Sequence, residues 1–201
     1  KVTSKNILMI NHYASTPQTG MGGRHYYLAK ELAKQGHNVY LIAASYTHLL
    51  RNPPQFSEAF KVWSIDGFQF VWVNMPEYKG AHDKRRIFNW FLFAWKALKL
   101  PKIISQNPDI ILASSPSLLT FLCAKKLANK FKAKLAFEVR DIWPLTLIEI
   151  GGYSTQHPFI RFLQWLEDKA YKDADVVISN LPNAVEHMTQ RGMDRNKFYW
   201  I

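Results

Sequence analysis

The stretch NILMINHYASTPQTGMGGRHYYLAKELAKQGHNV, residues 6–39, constrains this chain more than any other. An apolar run at 7–10 enters a loop holding Gly20, Gly22 and Gly23. Apolar residues then recur at helical spacing (Tyr27, Leu28, Leu32), Gly36 closes the helix, and a second apolar run begins at Val39. Strand, glycine-rich turn, helix and strand form the opening of a parallel α/β unit. The free N–H groups and positive dipole end of its helix suit an anion.

The glycines exclude two nucleotide sites. A dinucleotide fingerprint needs G-x-G-x-x-G and an acid ending the second strand; here the spacing is G-x-G-G and that strand ends in Ala43-Ala44-Ser45. A P-loop needs a following Gly-Lys-Ser/Thr, which is missing. A plain tight turn and an anion-facing turn both remain open.

Downstream the same alternation continues. Residues 61–74 read as a hairpin about Asp66-Gly67, 84–100 as a helix and 110–113 as a strand. A helix follows over 117–131, then a strand at 135–139 entering a polar loop, a helix over 158–172, a strand at 176–178, a further helix, and a strand-like end at NKFYWI. This predicts a doubly wound, mostly parallel sheet with helices on both faces. Ligands of such sheets bind at the carboxyl ends of the strands. That rule gathers Asn11, His12, Thr16 and the glycines with Ser114, Ser115 and Ser117, with Glu138, Arg140 and Asp141, and with Ser179 and Asn180. For the serines and Asn180, turn and cap roles compete with ligand binding. Arg140 can hold phosphate or carboxylate, and Asp141 can act as a base or accept a sugar hydroxyl. The pair could equally buttress the loop over Trp143.

The net charge of +11 is concentrated: residues 84–134 carry eleven Lys/Arg against one acid, Asp109. Within that block, KRRIFNWFLFAWKALKL is apolar nearly all round from Ile87 to Trp95. Those residues are too few to cross a hydrocarbon core of roughly 30 Å. An interfacial helix, with Lys84, Arg85, Arg86, Trp90, Phe91 and Trp95 facing an anionic membrane, explains both features. A buried helix is the alternative, and nucleic acid suits the apolar density less well. The one cysteine, Cys123, falls in an apolar helical pattern and reads as core. No basic, then apolar, leader is legible at the start.

Four segments together resemble the N-terminal domain of GT-B glycosyltransferases of the retaining family 4: residues 6–39, PDIILASSPSLLTFLCAKKLA, FEVRDIWPLTLIEIGG and DADVVISNLPNAVEHMTQRG. Within that family the chain is most similar to bacterial surface-polysaccharide enzymes of the N-acetyl-L-fucosaminyltransferase type. The resemblance implies that residues 1–201 are a single Rossmann-like, acceptor-binding domain. The nucleotide-sugar domain, with the family's paired glutamates, would lie outside the chain, leaving this part inactive alone. It implies Gly22 and Gly23 facing the donor diphosphate, His12, Ser115 and Glu138 on the acceptor, and Arg140 and Asp141 in catalysis. Many members carry His-Asp where Arg140-Asp141 stands here. The implied partners are a nucleotide-sugar, a lipid-linked acceptor and the inner face of the plasma membrane from the cytoplasmic side. No nucleic acid, metal or cofactor is expected. The rival classes are a non-catalytic membrane-surface module and a nucleotide-dependent oxidoreductase or epimerase.

Overall fold

Apolar runs of four to seven residues pair laterally here because parallel strands, buried on both faces, need no polar alternation. The computed structural model describes residues 2–201, except the side chain of Ile150. Its strands are β1 (Asn6–Ile10), β2 (Asn38–Ala44), β3 (Phe60–Ile65), β4 (Phe68–Val73), β5 (Ile110–Ser114), β6 (Lys134–Val139), β7 (Val176–Ser179) and β8 (Phe198–Trp200). Its helices are α1 (Arg24–Lys34), α2 (Arg85–Ala97), α3 (Leu119–Phe131), α4 (Leu145–Gly151), α5 (Pro158–Asp173) and α6 (Ala184–Gln190).

One sheet runs in the order β3-β4-β2-β1-β5-β6-β7-β8. Every pairing is parallel except the β3–β4 hairpin at one edge. Asp66 and Gly67 both take positive φ there, 47° and 84°, the left-handed pair that matches a two-residue turn to strand twist. From β1 the chain winds outward through β2 to the hairpin, then returns to lay β5 on the other side of β1. The β1–β5 boundary is therefore the point where winding reverses, and a crevice opens above it.

Helix α1 covers one face, burying Tyr26 and Ala29 over Met9, Leu41 and Phe70. Tyr27 points outward and is exposed, while Leu28 and Leu32 pack against the same cluster as their spacing predicts. The helix ends in a Schellman motif: Gly36 N–H donates to Ala33 and His37 N–H to Leu32, with Gly36 at φ 93°. On the other face α2, α3, α5 and α6 pack over Leu8, Val71, Ile111 and Phe137. Cys123 lies in that core, with its thiol pushed up to about 12 by burial. The buried Glu167 joins α5 to α6, accepting from Gln164, Tyr171 and His187. Helix α4 lies in the stretch after β6 that was expected as a polar loop.

Replacing Phe121, fully buried against Phe137 at 5.5 Å, with Ala should cost about 3–5 kcal/mol in urea denaturation. The exposed Phe88→Ala should stay within about 0.5 kcal/mol of the parent.

Candidate functional site

The loops after β1, β5 and β6 meet above the reversal point because their strands are neighbours in the sheet. Asn11 extends the ladder, its N–H donating to Ile42 at 3.0 Å. Its side-chain oxygen accepts the Tyr13 N–H, which turns its amide nitrogen toward His25 Nδ1 at 2.9 Å. His25 Nδ1 is thus an acceptor, and the proton sits on Nε2, 2.6 Å from Glu138 Oε1. Ser114 donates to the same oxygen at 3.0 Å, and Arg24 Nε donates to Oε2 at 3.0 Å. Burial alone would raise the Glu138 carboxyl. The His25 bond, with Ser114 and Arg24 beside it, overcomes this and holds it at about 2.

This network fixes where the first turn of α1 lies. Gly22 and Gly23 enter it at φ 74° and 84°, a region L side chains rarely adopt. Gly22 is buried and its N–H donates to Ser15 Oγ at 3.1 Å. Gly23 is exposed, and a Cβ there would meet nothing within 4 Å. Its amide, with those of the following first turn, is the donor set open to a ligand.

An open cleft of about 350 Å³ lies at the rim, lined by Asn11, Tyr13, His48, Arg86, Ser115, Arg140, Asp141 and Asn180, with Leu49 and Pro116. Ser115 Oγ accepts the N–H groups of Arg140 at 2.8 Å and Asp141 at 3.4 Å, so its hydroxyl shapes the loop that presents both side chains. Among the described residues, Arg140 and Asp141 form no ion pair with each other or with any other residue. The buttressing alternative therefore lacks its contact. His48 is held below its ordinary value by burial first and the Arg86 charge second.

Several expected site residues lie elsewhere. His12 is not on the cleft. It is fully buried between Tyr13 and Phe93, at ring distances of 4.7 and 4.6 Å, and burial pulls it down to about 3. Glu138 does not reach the cleft either, since both its oxygens are consumed beneath it. In α2, Trp90 cannot face a membrane: it is buried, donates to Tyr13 Oη at 2.7 Å and packs edge-on against Trp143. Arg86 turns the same way, donating to Tyr13 Oη at 3.0 Å and lying over the Tyr13 and Trp90 rings. Arg85 pairs with Asp83 at 2.7 Å and Lys84 is exposed. Phe88, Phe91 and Trp95 do project outward, where Phe91 stacks on Phe162 and Phe162 on Trp165 of α5. No helix among the described residues is long and apolar enough to cross a membrane. Tyr13, His25 and His48 were not singled out from sequence. The strand-end rule marked their neighbours but could not say which side chains turn inward.

The family model for Glycosyltransferase Family 4 matches residues 19–201, and the chain belongs to that family. No curated protein matches it in sequence. Among solved structures, UGT89C1 from Arabidopsis thaliana complexed with UDP is similar over 99% of this chain and 49% of its own, with a TM-score of 0.60 and 15% identity. Sucrose-phosphate synthase from Thermosynechococcus elongatus is similar over 98% and 88%, with 0.58 and 13%. A UDP-GlcNAc 2-epimerase from Methanocaldococcus jannaschii is similar over 99% and 45%, with 0.50 and 12%. At such identities these likenesses show the fold, a Rossmann-like domain matching the N-terminal domain of GT-B enzymes. The chain spans about half the length of the UGT89C1 chain.

The Glu138 carboxyl, near 4.5 when unfolded and about 2 when folded, stabilises the native state fully above about pH 4.5. That contribution, roughly 3 kcal/mol, is lost as pH falls toward 2, because the unfolded chain takes up its proton first. Denaturant unfolding should therefore show Glu138→Gln less stable at neutral pH, with a flatter pH dependence between 4.5 and 2.

Proposed function

We propose that the chain is the acceptor-binding half of a retaining glycosyltransferase. Its parent moves a sugar from a nucleotide-sugar to a lipid-linked or polysaccharide acceptor, of the kind used in bacterial surface-polysaccharide assembly. The observation that carries this reading is the rim cleft, where Asp141 and Arg140 form no ion pair among the described residues, above a reversal point fixed by the Glu138 network. Asp141 accepts the hydrogen bond of the attacking hydroxyl and orients its oxygen. A second domain beyond this chain holds most of the donor, and the Gly23 and first-turn amides of α1 face the departing diphosphate. Fixed N–H dipoles there stabilise the charge that develops on the leaving oxygen. The UDP in the UGT89C1 structure supports a nucleoside diphosphate donor for the family's fold.

Docking is assigned to the outward face of α2 and α5. Phe88, Phe91, Trp95 and Trp165 present aromatic surface, with Lys99 over Trp95 at 4.2 Å and Lys169 over Trp165 at 5.9 Å. Rings among acyl chains and ammonium groups at phosphates match an anionic interface. The proposed location is the cytoplasmic face of the plasma membrane.

In the parent enzyme Asp141→Asn should lower kcat roughly 100-fold with its thermal melt unchanged. Full activity in that variant would remove Asp141 from the reaction, and sugar transfer by residues 1–201 alone would contradict the two-domain reading. Sedimentation with anionic vesicles should bind the chain, weaken with salt, and fall roughly ten-fold in Phe91→Ala/Trp95→Ala. Equal pelleting with and without vesicles would end the membrane assignment.

A further inference from the structure

We propose that the cleft takes an anionic group of the acceptor, a phosphate or a carboxylate, between the guanidinium groups of Arg86 and Arg140. The inference rests on the proposed function only in calling that ligand the acceptor. Arg86 spends Nε on Tyr13 Oη and Nη1 on the Ala81 carbonyl at 3.2 Å, while Nη2 has no partner among the described residues. Among the described residues no carboxylate neutralises it, although Arg24, Arg85, Arg191 and Arg195 each have one. Arg140 is in the same condition: the loop fixes its backbone N–H on Ser115, and its guanidinium forms no ion pair among the described residues.

The groups around them are built to donate. Tyr13 Oη already accepts from Trp90 Nε1 and Arg86 Nε, so its own proton is free to donate. A neutral sugar is bound by donors and acceptors in mixture. Here two guanidinium forks, that of Arg86 held by its contacts, and a phenol offer donors against a single carboxylate, Asp141, with the Asn180 amide beside it. Paired N–H donors of this kind match the oxygens of phosphate or carboxylate. The aromatic rings of Tyr13 and Trp90, 5.5 Å from the Arg86 guanidinium, hold it in place before any ligand arrives. Arg86 also stands in the first turn of α2, the helix whose other side carries Phe88, Phe91 and Trp95.

The test titrates the 201-residue chain with inorganic pyrophosphate, inorganic phosphate and glucuronate, reading affinity by calorimetry. The Trp90 indole N–H serves as a local NMR reporter, assigned with Trp90→Phe. At least one probe should bind and shift that resonance, and Arg86→Gln and Arg140→Gln should each weaken it roughly ten-fold. Binding of the phosphate probes alone identifies a phosphate source, and binding of glucuronate alone a carboxylate source. No binding by any probe at millimolar concentration overturns the proposal. So does affinity unchanged in the variants, which would place the anion elsewhere, for example at Gly23. If Arg86→Gln fails to fold, Arg140→Gln alone decides. Sugar transfer by the parent is read in a separate assay, so this proposal can fail while the proposed function stands.

Discussion

One buried carboxylate ties together the parts on which the site depends. Glu138 is the penultimate residue of β6, and through His25, Ser114 and Arg24 it binds the start of α1 to the end of β5. Asn11 carries the link on to β1 through His25 Nδ1. The strands flanking the winding reversal and the helix that faces it are thus held by charge-assisted hydrogen bonds out of water, where an unpaired member would be costly. The glycine-rich turn takes positive φ at Gly22 and Gly23, which lack a Cβ, and enters α1 where this clamp holds its first turn. The cleft, one layer further out, inherits its geometry from the same clamp.

Helix α2 shows how one apolar segment serves two surfaces. Its sequence is so uniformly aromatic that no single stripe stands out, yet the fold divides it. Trp90 and Phe93 pack inward, Arg86 joins the cleft through Tyr13, and Phe88, Phe91 and Trp95 face outward. The buried reading describes its inward side, and the outward side is the one proposed for docking. The division also puts a fixed cation and an exposed aromatic face within one helix, on opposite sides of the same rod.

Legibility followed physical range. The strands, the Asp66-Gly67 hairpin and the mostly parallel character of the sheet were readable, since apolar runs and turn residues are local signals. The rim itself was readable because strand ends converge in any open parallel sheet. What failed was the direction of individual side chains. His12 follows β1 and Glu138 lies near the carboxyl end of β6, as expected of site residues, but one is packed between Tyr13 and Phe93 and the other is consumed by three donors. Arg86 lies more than sixty positions from Tyr13, and no local pattern reports a partner so distant in sequence.

The most direct test of the account is a crystal structure of the longer parent enzyme with its nucleotide-sugar bound. The diphosphate should lie within hydrogen-bond reach of the Gly23 and Arg24 amides, with the sugar facing Asp141 across the cleft. A donor held at the opposite end of the sheet, or against the β3 edge, would contradict the placement of the reaction at the β1–β5 reversal.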